Sequence, residues 1–395
     1  MQLYWYNLQM AAVYIHFPFC VQRCQYCDFI TYAHMGHFIP DYLDALKREM
    51  RLSLPGTDKA NSVYFGGGTP SLIKTDKVEC LLEEIEQLIG ISSSAEISLE
   101  ANPGTVSLES LKAMREAGVN RLSLGIQSFF DSDLQLLGRI HSAEQARKSI
   151  GDAQQAGFDN LSLDLIFGLP GQTLNIWQQN LEEATSIGVQ HLSLYSLIIE
   201  PGTPFEKEIE AGRLELPDED LVADMFELAM DFLPLNGLHQ YEISSWAKGE
   251  PFESRHNKVY WRNQDYFGLG AGAHSKIGDY RLQNVTTIPA YIERLNRGND
   301  PASSFSPALE EKSFIDEKMA MQESMMLGLR MTREGISESR FRSVHQAEMK
   351  KVFDEEIGRI LHSGLGEWQT QADGSHLVLT QRGIMFGNRA FQEFV

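Results

Sequence analysis

Four short stretches constrain the fold of this chain more than any other feature. Ile97-Ser98-Leu99-Glu100, Leu122-Ser123-Leu124-Gly125, Leu161-Ser162-Leu163-Asp164 and Leu192-Ser193-Leu194-Tyr195 share one alternating pattern. Gly118, Gly157 and Gly188 each stand four residues before the first leucine of the last three stretches. A helix-period pattern runs into each glycine, as expected for a helix closed by a left-handed cap and followed by a short loop. Helix, glycine, loop and strand in repeated order build a parallel sheet with crossover helices. Alternation sends the leucines to one face and the serine to the other. The leucines then meet an outer layer of helices, and the small serines face an interior. Val13 to Phe17 and Ser62 to Phe65 read as two earlier strands. The resulting expectation is an α/β chain with a partial TIM-like (β/α)6 barrel.

Glu100, Gly125, Asp164 and Tyr195 occupy the same place in the repeat, at the strand ends, and Gln127 lies two residues beyond Gly125. The functional site of an α/β barrel forms at the C-terminal ends of its strands. One mouth is therefore expected to collect these residues, together with whatever follows the first two strands. Pro40 to Arg51, Val78 to Ile89 and Pro217 to Leu233 read as helices, and Tyr241 to Trp246 as a strand. After Leu197 the repeat stops. The expected division is a barrel over residues 1–235, a connecting segment over 236–310 and a C-terminal domain over 311–395. The connecting segment ends in a Pro-, Ser- and Asn-rich linker from Gly298 to Pro307. Ser313 to Leu329 and Phe353 to Leu361 read as helices and Leu377 to Leu379 as a strand, which makes the last domain helical and winged-helix-like.

The 395 residues suffice for one large and one smaller domain. A formal charge of −20 argues against binding nucleic acid or an anionic membrane through a general basic field. No apolar run reaches the roughly 20 residues of a transmembrane helix. Met1 to Met10 lacks the basic and apolar regions of a signal peptide. The expected location is the cytoplasm, where thiols stay reduced, with any contact to the inner membrane made through partners.

Three of the four cysteines lie in Cys20-Val-Gln-Arg-Cys24-Gln-Tyr-Cys27. Iron–sulfur clusters are usually held by four thiolates, so three would leave one iron of a [4Fe-4S] cube open to a small molecule. Zinc completed by His16, His34 or His37 is an alternative. A disulfide would leave an odd cysteine in a chain without secretory context. Cys80, in the second helical pattern, reads as a free, buried core cysteine. Gly66-Gly67-Gly68-Thr69-Pro70 follows a strand directly and reads as a tight turn or as a site of close backbone approach. The run from Gly268 to Ala273 imitates a dinucleotide fingerprint, but lacks the apolar strand before it and the helix after it. His256 stands four residues before Tyr260, so on a helix they would share a face. Imidazole is a common axial ligand of heme iron, and aromatic rings suit a porphyrin face. Alternatively His256 hydrogen-bonds internally while Tyr260 and Trp261 fill a core.

Tyr14-Ile-His-Phe-Pro-Phe-Cys20-x3-Cys24-x-Tyr26-Cys27 resembles the signature of the radical S-adenosylmethionine (SAM) superfamily. More narrowly it resembles the branch containing the oxygen-independent coproporphyrinogen III oxidases and related heme chaperones, over nearly the whole chain. The resemblance implies a [4Fe-4S] cluster on Cys20, Cys24 and Cys27, with SAM on the open iron. It places Gly67, Gly68 and Thr69 along the methionine ammonium of SAM. It places Arg139, read as helical, on the carboxylate, and Asp164 near the ribose hydroxyls. Glu100 and Gln127 match further SAM-contacting positions, and Tyr14 and Tyr26 match positions near the cluster and adenine. His256-Asn257-x-x-Tyr260-Trp261 resembles the motif that marks the heme chaperones, which implies heme at His256. The implied function is binding heme and passing it to apo-hemoproteins, such as cytochromes or a membrane respiratory complex, by a monomer or a homodimer. The alternative is SAM-radical oxidative decarboxylation of coproporphyrinogen III to protoporphyrinogen IX in porphyrin biosynthesis. The decarboxylases carry a fourth cysteine two residues after the third, where this chain has Phe29. They also have a longer segment before the position of Tyr14. Both differences favour the chaperone.

Overall fold

The computed structural model describes residues 11–54, 59–297 and 305–395; the readings on Met1 to Met10 and on residues 298–304 of the linker lie outside them. Six parallel strands follow the expected alternation: β1 (Ala11–Phe17), β2 (Ala60–Gly67), β3 (Ile91–Ala101), β4 (Arg121–Gln127), β5 (Leu161–Phe167) and β6 (His191–Ser196). They pair in chain order. Helices α1 (Ile39–Ser53), α2 (Thr75–Leu88), α3 (Leu108–Glu116), α4 (Ala143–Gln155) and α5 (Leu174–Ser186) connect them, and α6 (Glu219–Leu235) follows β6.

The strand leucines do what their period requires. Leu99, Leu122, Leu124, Leu161, Leu163, Leu192 and Leu194 are buried in one core with the helices. Each such burial is worth about 1.5–3 kcal/mol. The serines face a polar interior, where Ser162 Oγ bonds His191 Nδ1 at 2.8 Å and Ser123 Oγ donates to Asp164 at 3.1 Å. Gly118, Gly157 and Gly188 have φ of 108°, 86° and 82°, the left-handed region that closes a helix.

The sheet is larger than the six-strand reading. A hairpin of β7 (His239–Glu242) and β8 (Ser245–Ala247) extends it antiparallel beyond β6, where one strand was expected from Tyr241 to Trp246. At the other edge β9 (Phe267–Leu269) pairs parallel with β1. The order is β9-β1-β2-β3-β4-β5-β6-β8-β7, an open barrel of nine strands among the described residues. The segment after residue 235 thus builds both edges of the barrel sheet. It also carries α7 (Arg255–Trp261) and α8 (Ile288–Arg297). A separate antiparallel sheet joins β10 (His274–Ile277), β11 (Tyr280–Asn284) and β12 (Leu309–Phe314). Glu49 of α1 ties this segment down, accepting from Tyr291 Oη at 2.5 Å, Asn284 Nδ2 at 2.7 Å, the Gly270 N–H at 2.8 Å and Ser306 Oγ at 3.2 Å.

The last part has its own core, including Met325, Leu329, Phe341, Ile357, Ile360 and Leu377. Its longer helices are α9 (Glu317–Gly328), α10 (Glu338–His345) and α11 (Asp354–His362), and the strands Gly366–Gln371 and Gly374–Leu379 form a hairpin. The Met-rich helix starts later than expected. Ser313 and Phe314 belong to β12, and Asp316 caps α9 by accepting from the Met319 N–H at 2.8 Å. Cys80 is free but only half-buried, so it is not a core cysteine.

Candidate cluster and cofactor site

The cysteine loop leaves β1 and returns through a short parallel pairing of Phe19–Cys20 with Tyr32–Ala33. Cys20, Cys24 and Cys27 lie on this loop, all free and half-buried. Its far side is tied to the segment after β4. The Gln25 N–H donates to the Leu137 carbonyl at 3.0 Å, and Gln22 Nε2 donates to the Gly138 carbonyl at 3.1 Å. Burial pushes the Cys20 and Cys27 thiols up from their usual pKa. Such thiols give up their protons to a metal centre rather than to water.

The surroundings fit a cluster. Thr69 Oγ1 lies 3.6 Å from Cys20 Sγ, and Arg139 Nη1 lies 3.4 Å from Cys24 Sγ. A Cβ on Gly68 would stand 2.6 Å from the Phe19 carbonyl oxygen and 3.0 Å from Cys20 Sγ, so only glycine lets this backbone reach the loop. Among the described residues no three His, Cys, Asp or Glu side chains converge tightly enough to chelate one ion.

The mouth of the barrel lies beside the loop. Glu100 accepts from Tyr64 Oη at 2.8 Å and from the Gly67 N–H at 3.2 Å. Burial pushes its carboxyl up to about 7, against the pull of the Tyr64 hydroxyl. Burial also raises the Asp164 carboxyl, opposed by the hydroxyls of Ser193 and Ser123. The two are not level, as their shared repeat position suggested. Glu100 pairs with Ser123, whereas Asp164 pairs with Gly125 and Ser193. The stagger that curls a sheet into a barrel sets Asp164 two residues further up the mouth.

Gln127 follows a register shift after Gly125 and has φ of 67°. A non-glycine residue there is uncommon, and such strain clusters at functional sites. Arg139 is not on a helix: the short helix Asp131–Leu136 ends before it, and Gly138 has φ of 69°. Arg139 Nη2 donates to Asn102 Oδ1 and, at 2.8 Å, to the Gly125 carbonyl. Its buried Nε has no partner among the described residues, which leaves a cationic donor for an anionic group. Asn102 was missed in the sequence. It also donates to Thr69 Oγ1 at 3.1 Å, linking the glycine turn to Arg139. Its signal was the Asn102-Pro103 turn directly behind the Glu100 strand end.

Tyr14 bonds His16 Nδ1 at 2.9 Å and stacks on Tyr64 with centroids 6.1 Å apart. Burial raises the Tyr14 and Tyr26 hydroxyls above their usual pKa. Hydrogen bonds and ring contacts thus link the cysteine loop, Tyr14, Gly67, Thr69, Glu100 and Arg139, and the strand register sets Gln127 and Asp164 at the same end of the sheet.

His256 adjoins this group from the barrel interior, its ring stacked on Tyr64 with centroids 5.1 Å apart and 6.3 Å from the ring of Tyr14. It sits on α7 and shares a face with Tyr260, as its spacing predicts, but it is only 1% exposed. Its Nδ1 bonds Ser62 Oγ at 2.8 Å and its Nε2 bonds Tyr260 Oη at 2.8 Å. Burial, and then the charge of Arg121, push its pKa down to about 3. Asn257 Nδ2 donates to Glu242 at 3.3 Å and Trp261 Nε1 donates to the same carboxylate. In this conformation the motif fastens α7 to the barrel interior, and neither ring nitrogen of His256 is free for iron. The run from Gly268 to Ala273 overlaps the end of β9 and is close packing: a side chain at Gly270 would strike the His16 carbonyl.

Comparisons with known proteins agree with this layout. The Radical SAM superfamily model matches residues 14–184, and the HemN C-terminal domain model matches residues 315–386. A solved structure of coproporphyrinogen III oxidase (HemN) from Escherichia coli superposes with a TM-score of 0.82 over 99% of this chain and 91% of that one, at 21% identity. At that identity the likeness speaks to the fold. The chain is 38% identical to the heme chaperone HemW of Bacillus subtilis, over 98% of this chain and 99% of that protein. It is 34% identical to HemW of Lactococcus lactis over 97% of each. It is also 32% identical to the mitochondrial radical S-adenosyl methionine domain-containing protein 1 of Danio rerio, over 95% of this chain and 83% of that protein. The superfamily implies a [4Fe-4S] cluster and SAM, which the cysteine loop and the mouth fit. By its full-length likeness to these relatives, the chain belongs to the HemW heme-chaperone family of the radical SAM superfamily.

Proposed function

We propose that the protein binds heme and passes it to apo-hemoproteins in the cytoplasm, while its barrel mouth holds a [4Fe-4S] cluster and SAM. The observation that carries this reading is the full-length similarity to HemW heme chaperones. The residue after Asp28 supports it. Phe29 stands where the resembled decarboxylases have a cysteine, and 64% of its surface is exposed beside the cysteine loop.

Cys20, Cys24 and Cys27 would hold the cluster, whose fourth iron supplies a one-electron centre to which SAM can bind. The Arg139 guanidinium, close to Cys24, is placed to pair with a carboxylate. The Gly67–Gly68 backbone lies open beside Thr69 and can line the methionine end. Asp164, higher in the mouth, offers a carboxylate to hydroxyl donors such as those of a ribose. Glu100, held near neutrality by burial, would become fully ionised beside a bound cation. Tyr14, Tyr26 and Gln127 would flank the bound group.

Anaerobic reconstitution with iron and sulfide, followed by heme titration and a coproporphyrinogen III assay, tests the proposal. It predicts stoichiometric heme and no sustained protoporphyrinogen. Turnover without heme binding would restore the decarboxylase reading.

A further inference from the structure

We infer that heme docks in a cavity at the open edge of the barrel, beside the cysteine loop, with His274 as the ligand to its iron. The inference rests on the heme reading above and adds the site. The cavity measures about 480 Å³ and lies between Asp28–Ile30 on one side and α7, the segment from Asn263 to Tyr266, β10 and Arg281 of β11 on the other. Small-molecule sites run from roughly 300 to 1,000 Å³. Phe29, Ile30, Tyr260, Trp261 and Tyr266 give it an apolar, largely aromatic wall. Tyr260 and Tyr266 meet edge to face at 4.6 Å. The exposed ring of Phe29 is the kind of surface a planar apolar ligand would cover.

Two histidines line this cavity, His16 and His274. His16 is spent: its Nδ1 bonds Tyr14 and its Nε2 bonds the Ile30 carbonyl at 2.9 Å. His274 opens β10, is exposed, and among the described residues no group bonds its ring nitrogens. Partial burial and the nearby Arg281 lower its pKa, which favours the neutral form that binds iron.

The cations are on the same side. Lys276 lies two residues along from His274 and pairs across the hairpin with Arg281, so all three share one face. Arg281 also pairs with Glu323 at 3.0 Å and keeps 46% of its side chain exposed, and Lys276 pairs with Asp265 at 3.2 Å. Asp28 faces them from the loop. In a chain with a net charge of −20, this exposed guanidinium gives the two propionates of heme a local partner. A single imidazole at an exposed strand end can hold iron and release it.

His256 then has a defined part. It bonds the hydroxyl of Tyr260 from behind the cavity wall, so it is a positioning residue for that ring. The motif resembling that of the heme chaperones thereby reaches the cavity without touching iron.

The test is heme titration into anaerobically reconstituted wild type, His274→Ala, Arg281→Gln and His256→Ala, with iron-free protoporphyrin IX as a second probe. His274→Ala should weaken heme tenfold or more and change the Soret band, and added imidazole should restore the band. Its iron-free porphyrin affinity and its cluster should match wild type. Arg281→Gln should weaken both porphyrins several-fold without moving the band. His256→Ala should weaken both porphyrins and leave the band where it is. A wild-type titration and band in His274→Ala, or a band change confined to His256→Ala, would overturn the site while leaving heme binding intact. A wild-type protein that takes up no heme would instead overturn the function itself.

Discussion

At the residue scale the account rests on a few side chains whose partners are now defined. Replacing Cys20, Cys24 or Cys27 by alanine should remove the cluster, measured as iron, sulfide and visible absorption after anaerobic purification. Cys80→Ala should not, because Cys80 sits on α2, outside the cysteine loop. Stoichiometric zinc without iron would count against the cluster. Asp164→Ala should weaken SAM about tenfold to a hundredfold, the roughly 1.5–3 kcal/mol of hydrogen bonds to a charged group. The readout is the electron paramagnetic resonance spectrum of the reduced cluster, which should still form and should need more SAM to change. Indifference of that spectrum to SAM in the wild type would contradict the mouth as the SAM site. The cysteines, the glycine turn and the strand-end carboxylates were legible in the sequence because each sits at a fixed offset from a local pattern. Asn102 and His274 were not singled out, since each draws its meaning from residues distant in sequence. His256 shows the same limit. Its helix and its Tyr260 neighbour followed from spacing, but its bond to Ser62 spans 194 residues.

At the scale of elements, leucine–serine alternation was enough to find β3 to β6 and to say which face packs on helices. The stagger between them was not readable, because register depends on pairing across strands and not on place in a repeat. β9 was also missed, being three residues long inside a glycine-rich run. The contact between α1 and the segment carrying Gly270, Asn284 and Tyr291 makes a prediction of its own. Glu49 is fully buried, and burial raises its carboxyl from 4.5 to about 7, against the pull of the Tyr291, Gly270, Asn284 and Ser306 donors. A pKa raised in the folded state means that the folded protein holds the proton more tightly. Stability from this group is therefore complete below about pH 4.5 and declines as pH rises through 7. The loss is at most roughly 3 kcal/mol for the whole shift. Urea unfolding of the anaerobic protein between pH 5 and 8 should show this slope, and Glu49→Gln should flatten it while lowering stability overall. An identical slope in the variant would remove Glu49 as its source.

At the scale of the whole molecule, an open barrel places its cofactor mouth beside an edge that a closed barrel would not have. The cysteine loop serves both, with its cysteines near the mouth and Phe29 and Ile30 on the cavity. No helix among the described residues is long and apolar enough to cross a membrane. The central claim is that this architecture carries heme. The direct measurement is transfer: load the reconstituted protein with one heme, add a colourless apo-hemoprotein of distinct Soret position, and follow both bands anaerobically. The account predicts a one-to-one loss from the donor and gain by the acceptor, faster than from free heme in the presence of a scavenger. Heme that never binds, or that stays on the protein whatever acceptor is offered while coproporphyrinogen III is converted, would contradict it.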